Sequence, residues 1–330
     1  MKIIKIFLIL NLFASYAYSN DADFEIWKKN FKKHAISQGI NIATVDKHID
    51  KSKFLPNVIK YDRYQPEFYE DTKTYISKRT SNKKVFVGKK IYQNNKITID
   101  TISKFYKVDK YLLLALMGIE TNFGTYLGKM DIISSLATLS YDKRRSEFFT
   151  SELITLLKLI DQKKINPDIL FGSWAGAFGN FQFMPSTINN YALDYNNDGK
   201  IDLKNIEDSF ASAANYLNNL GWDNNIPCFY KIKLDNKVPL KYLNTSARNL
   251  INKKNLSFFS KYIVNFNTIK EFSNLNTALV TPDVDIVPDT DKFNPAYITF
   301  KNYELILKWN RSLRFGLAVC TLRDKFKNEF

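Results

Sequence analysis

The stretch Asp109–Gly124, DKYLLLALMGIETNFG, decides how the rest of the chain is read. Asp109 is suited to cap a helix, because its side chain can accept from an amide of the first turn. Leu112, Leu113, Leu116 and Ile119 then recur at helical spacing. Glu120 arrives where that apolar run ends, ahead of a Gly-containing loop. A carboxylate on the rim of a hydrophobic helix is partly desolvated, and desolvation raises its pKa. It can then hold a proton near neutral pH and act as a general acid. Taken alone, the stretch is more simply a Glu that caps or salt-bridges a helix end. The blocks downstream decide for the acid.

Upstream, residues 1–19 read as a secretory signal: Lys2 and Lys5 ahead of an apolar run over Ile6–Ala14, then small residues around Ala17-Tyr18-Ser19. No Cys stands at the expected cleavage point, so export to the periplasm without a lipid anchor is the expectation. Removing the signal lowers the formal charge of +15 by two and leaves the protein strongly basic. A basic exported protein suits an anionic partner, such as a cell-wall polymer or, peripherally, a membrane surface. Export and the lack of a basic helix or zinc signature argue against nucleic acid. Cys228 and Cys320 are the only cysteines; an oxidising compartment permits a disulfide between them, but nothing in their spacing demands one. His34 and His48, the only histidines, stand far from every motif, which disfavours a His-based triad or zinc site.

From residue 20 to about 106 the chain is expected to be helical, opening on Phe24, Trp27, Phe31 and Ala35 at helical spacing. Tyr75 stands just ahead of a basic run and is a candidate for a substrate groove, with packing as the plainer role. After the Glu120 loop, Ile132, Leu136 and Leu139 predict one helix, and Phe148 to Ile160 another. Arg144 and Arg145 lie between them, and Arg145 is a candidate contact for an anionic ligand.

The block Gly172–Thr187, GSWAGAFGNFQFMPST, is rich in Gly and Ala, which permit close backbone approach to a helix or a ligand. Gln182 stands between two Phe, and Pro185-Ser186 reads as a helix start. Amides and hydroxyls beside aromatic rings would suit a sugar groove. Next, Asp194–Asn205 has the spacing of a Ca²⁺ loop: Asp194, Asn196 and Asp198 at positions one, three and five, and Gly199 at the turn. Lys200 offers its carbonyl at seven and Asp202 stands at nine, but position twelve is Asn205 where a bidentate Glu is usual. An Asx-rich turn is the alternative. A helix over 208–220 follows, stopping at Gly221. Residues 223–295 read as short strands and loops, and helical periodicity returns through Leu305, Ile306, Trp309, Leu313 and Leu317.

These blocks together, IETNFG, GSWAGAFGNFQFMPS, DYNNDGKIDL followed by ASAANYL, and LKWNRS, resemble the MltB-type lytic transglycosylases, the membrane-bound lytic murein transglycosylase B family. The resemblance implies a mainly α (α+β) protein with a lysozyme-like helical core. That core would span 107–222, with a helical N-terminal part over 20–106, a small β-containing region over 223–295 and a C-terminal helix over 296–330 completing the groove. It implies Glu120 as the single acid/base and Ser173, Gln182, Tyr216 and Asn310 as glycan contacts. It also makes Asp194–Asp202 a cation loop for a structural Ca²⁺ or Na⁺, and requires no cofactor for the chemistry. The implied partners are peptidoglycan strands and other cell-wall enzymes. The implied reaction cleaves the MurNAc–GlcNAc bond without water and leaves 1,6-anhydro-MurNAc. A hydrolytic muramidase using Asp131 or Glu147 as a second carboxylate, and a non-catalytic wall-binding scaffold, are the rivals. Trp174, Phe178, Trp309 and Phe315 depart from the family's usual residues; the last two replace Tyr and remove hydroxyl groups.

Overall fold

The computed structural model describes residues 21–64, 69–284 and 286–330; the expected signal over 1–19 lies outside them. The chain divides into two compact units that interleave in sequence. One is built from the segment ending at Tyr64 and from Leu127–Leu203, the other from the segment ending at Tyr126 and from Lys204–Phe330. The stretch 107–222, expected as one core, thus contributes to both units.

The first unit holds helices α1 (21–37), α2 (Ile42–Ile49), α3 (Pro56–Arg63), α8 (Ile132–Tyr141), α9 (Ser146–Asp161) and α10 (Pro185–Tyr191). In α1, Phe24, Phe31 and Ala35 are buried and Trp27 stacks between the two Phe rings, as the helical spacing predicts. The centre of this unit is α8, buried from Ile132 to Ser140 and packed on α9. Its polar residues serve neighbouring backbone: Ser134 accepts from the Lys53 amide and Thr138 from that of Leu55. A two-residue antiparallel ladder of β1 (Met130–Asp131) and β2 (Phe171–Gly172) fixes where the Gly-rich block begins.

The second unit holds α4 (Thr72–Arg79), α5 (Asn82–Asn94), α6 (Lys96–Tyr106), α7 (Lys110–Thr121), α11 (Ile206–Leu220), the short α12 (Leu256–Phe259), α13 (Lys301–Trp309) and α14 (Leu313–Glu329). Helix α7 is the expected apolar one, with Leu112 to Met117 almost fully buried. Asp109 caps it by accepting from the Leu112 amide at 2.8 Å, and also holds Arg323 of α14 at 2.9 Å. Packing of α14, α5, α6 and α11 covers α7. The small β-containing region is a five-stranded sheet of β3 (Phe229–Ile232), β4 (Leu243–Asn244), β5 (Lys254–Asn255), β6 (Asn276–Val280) and β7 (Ala296–Thr299). Strand β7 pairs antiparallel with both β3 and β6, and β4 runs parallel to β6. Ile232, Leu256, Phe259, Leu279, Ile298 and Phe300 give this sheet its own core.

Two details differ from the sequence reading. The C-terminal segment is two helices after a strand, because Asn310 is extended and Ser312 caps a new helix by accepting from the Phe315 amide. Cys228 and Cys320 are joined by a disulfide, which ties the residue before β3 to the middle of α14. Among the described residues no helix is long and apolar enough to cross a membrane.

Candidate active site

Glu120 lies in the last turn of α7, partly exposed between the buried Gly118 and Thr121. Its backbone is fixed by an unusual helix end: Asn122, Phe123 and Gly124 all have positive φ, at 49°, 59° and 80°. Two non-glycine residues in the left-handed region are costly, so the surroundings must hold them. The Phe123 amide donates to the Met117 carbonyl at 3.2 Å, and the Gly124 amide to Thr121 Oγ1 at 3.0 Å. The Phe123 ring lies over Gly118, where a Cβ would come within 2.6 Å of it. Glycine at 118 is therefore what lets the loop fold back behind Glu120. Lys84 of α5 donates to the Gly118 carbonyl, which suits a cation at the negative end of α7. Burial lowers the pKa of that ammonium, and Arg79 nearby adds to the effect.

The side chain of Glu120 is met by Trp309, whose indole Nε1–H donates to Oε1 at 3.0 Å. Trp309 ends α13, the turn before the extended Asn310, and its ring lies 5.2 Å from that of Tyr216 on α11, tilted by 33°. The Tyr216 hydroxyl reaches the Lys308 carbonyl at 3.5 Å. Glu120, Trp309 and Tyr216 are thus one contact set, with Asn310 next in the chain. Sequence reading treated Trp309 as a lost hydroxyl and missed the donor it supplies.

In the first unit, Ser173 closes the turn of the Gly-rich block. Its Oγ accepts from the amides of Ala175 and Ala177, at 3.2 and 2.9 Å. Gln182 has φ of 50°, and its amide nitrogen donates to the carbonyls of Gly179 and Leu127 at 2.9 and 3.3 Å. A glutamine held in the left-handed region by two backbone carbonyls is a strained position that presents a fixed side chain. Phe178 and Phe183 pair across it. Pro185 opens α10 as predicted, and the buried Glu152 holds that helix start by accepting from Ser186 N and Oγ at 2.8 and 2.7 Å.

The Asp194 loop folds as an Asx-rich turn. Asp194 accepts from the amides of Asp198 and Gly199, Asn196 from that of Asp198, and Asp198 from that of Lys200. These oxygens are taken up by the turn's own amides, and Gly199 has φ of 88°. Asn205, at the twelfth position, caps α11 through the Glu207 amide. No three Asp, Glu, His or Cys side chains converge as a metal site among the described residues. A cation here would rest on the carboxylates of Asp194, Asp198 and Asp202 with neutral oxygens of Asn196 and Lys200.

Two expected groove residues are engaged in holding structure. Tyr75 is 5% exposed, with the Arg79 guanidinium 3.5 Å above its ring. Arg145 pairs, together with Arg144, with the buried Asp62, because a buried carboxylate needs its charge met.

Residues 23–324 match the family described as Transglycosylase SLT domain. A segment of 118 residues is 42% identical to membrane-bound lytic murein transglycosylase B of Escherichia coli (strain K12). That match covers 36% of this chain and 33% of the relative, about a third of each. The chain also superposes on SltB3 of Pseudomonas aeruginosa, solved in complex with NAG-anhNAM-pentapeptide, with a TM-score of 0.80 and 31% identity. That comparison covers 92% of this chain and 79% of the other. The Escherichia coli lytic transglycosylase Slt35 in complex with calcium shares the fold, with a TM-score of 0.75 and 23% identity over 92% of this chain and 93% of that one.

Proposed function

Because the chain belongs to the transglycosylase SLT domain family, we propose that it is a lytic transglycosylase of peptidoglycan, cleaving between MurNAc and GlcNAc to leave 1,6-anhydro-MurNAc. The observation that carries this reading is Glu120, aimed by a helix end built around it and met by an indole N–H. The SltB3 complex, at 31% identity over most of this chain, supports the same substrate class.

Glu120 protonates the glycosidic oxygen as the bond to C1 of MurNAc breaks, with the sugar's acetamido group assisting. The carboxylate then takes the proton of the C6 hydroxyl as that oxygen bonds to C1. The proton lent in the first step is recovered in the second, and no water is consumed. One carboxyl group suffices because the substrate supplies its own nucleophile, whereas hydrolysis needs a second. The two carboxylates weighed for that second role have other positions: Asp131 caps α8 by accepting from the Ser134 amide at 2.7 Å, and Glu147 is exposed in the first turn of α9.

Ser173, Gln182, Tyr216 and Asn310 are the residues we assign to the glycan, as a hydroxyl, two amides and an aromatic ring. Tyr75 and Arg145 are left to their structural partners. Asp194, Asn196, Asp198 and Asp202 with the Lys200 carbonyl would hold a structural Ca²⁺ or Na⁺, which supplies no chemistry. We read residues 1–19 as directing export to the periplasm, where the charge of +15 less the two leader lysines would attract the protein peripherally to an anionic membrane, and contact with other cell-wall enzymes belongs to the same reading.

The test is solubilisation of purified sacculi by the protein and by Glu120→Gln. The amide cannot donate and recover a proton, so turnover falls by roughly 10³-fold or more while sacculi are still bound. Substantial turnover by that variant contradicts the assignment.

A further inference from the structure

The contact between Trp309 and Glu120 fixes more than a position. An indole nitrogen is a donor only, so its N–H needs an accepting oxygen at Oε1. In a neutral carboxyl group the carbonyl oxygen is the better acceptor, and the hydroxyl oxygen carries the proton. A donor held at Oε1 therefore favours Oε1 as the carbonyl oxygen of the protonated group. We propose that Trp309 is a positioning residue that keeps the proton of Glu120 off Oε1 and holds that oxygen in one orientation. The proposal deepens the function assigned above and rests on it.

The indole is itself held. Its backbone ends α13, where Leu305, Ile306 and Leu307 are buried. Its ring is flanked by Tyr216, at 5.2 Å, whose hydroxyl bonds the carbonyl of the residue before it. The backbone that carries Glu120 is fixed by the left-handed run 122–124, whose amides bond Met117 and Thr121. With both ends anchored, the rotation about the last Glu120 bond that would exchange the two oxygens costs a hydrogen bond to an ionisable group, the stronger kind.

The same bond favours the ionised form of Glu120, since the donor stabilises a carboxylate more than a neutral acid. Among the described residues, charged and titratable groups stand at this end on several elements, Arg79 of α4 beside Lys84 among them. Lys84 of α5 bonds the Gly118 carbonyl, Tyr216 lies on α11, and Lys308 is exposed on α13. Helix α14 meets Gly118 through Leu322. Arg323 with Asp109, and Asp100 of α6 with Lys110, sit at the opposite end of α7.

Trp309→Phe keeps the ring and deletes the donor, so it tests the hydrogen bond alone. We expect kcat to fall roughly 10–100-fold with KM changed by less than about threefold. The alkaline limb of the kcat profile should move to higher pH, because the ionised form of Glu120 loses a donor. A readout free of turnover is the Trp309 indole proton in NMR, identified among four tryptophans by its loss in Trp309→Phe. It should shift as Glu120 titrates and become independent of pH in Glu120→Gln. An unmoved pH limb in Trp309→Phe, or an indole shift that titrates equally in Glu120→Gln, overturns the proposal. Absence of lytic turnover in the unmodified protein would instead overturn the function beneath it, leaving the indole titration to decide this proposal.

Discussion

Glu120 depends on a neighbour 189 residues away in the chain, and on a glycine two residues before it. Gly118→Ala would press a Cβ against the Phe123 ring at 2.6 Å and Leu322 at 3.2 Å. Overpacking of that kind costs about 1–3 kcal/mol, so chemical unfolding should show a loss in that range, with turnover falling as the cap behind Glu120 shifts. Gln182 offers the opposite case. Its φ of 50° suits glycine better than any other residue, yet its side chain is what we assign to the glycan. Gln182→Gly should leave unfolding free energy within about 1 kcal/mol of the parent, strain relief offsetting lost hydrogen bonds and added chain entropy. Glycan affinity should still fall about tenfold, read by calorimetry with a soluble fragment. At this scale the sequence disclosed residue types but not partners. Glu120 was legible because it ended an apolar run, whereas Trp309 was not, since nothing local to WNRS says which carboxylate its N–H will find.

Elements were more legible where their signals were local. The cap at Asp109, the burial of Leu112 to Met117, the Pro185 start of α10 and the Gly221 stop of α11 all follow from short-range rules. The break at 310–312 was not legible, because apolar periodicity runs straight through it from Leu305 to Leu317. Only the extended Asn310 and the Ser312 cap divide the segment, and the break places Trp309 at a helix end facing Glu120. The disulfide was hidden for a similar reason, being a contact across 92 residues. Closing a loop of that length stabilises a fold by about 4–5 kcal/mol on chain-entropy grounds. Cys228→Ser with Cys320→Ser should therefore lower unfolding free energy by roughly 2–5 kcal/mol, and a reductant should lower the melting temperature of the parent but not of the double variant.

For the whole molecule, charge and the Asp194 loop are the properties open to test. The charge of +15, less two once the leader's Lys2 and Lys5 are gone, predicts that affinity for sacculi, which carry stem-peptide carboxylates, falls steeply as ionic strength rises from about 0.05 to 0.5 M. If the Asp194 loop holds a structural cation, millimolar Ca²⁺ should raise the melting temperature and a chelator should reverse the rise, with turnover rates unaffected at temperatures where the fold is intact. An Asp194→Ala variant should lose that response. The mainly helical character was legible from periodicity across the chain. The interleaving of two units was not, since it depends on which helices pack and not on where each begins.

The measurement that bears most directly on the account is mass spectrometry of the muropeptides released from purified peptidoglycan. Transfer to the C6 hydroxyl predicts products lighter by one water than the reducing muropeptides, absent when Glu120→Gln replaces the parent. Reducing MurNAc ends would contradict it, and would mean a hydrolase with a second carboxylate.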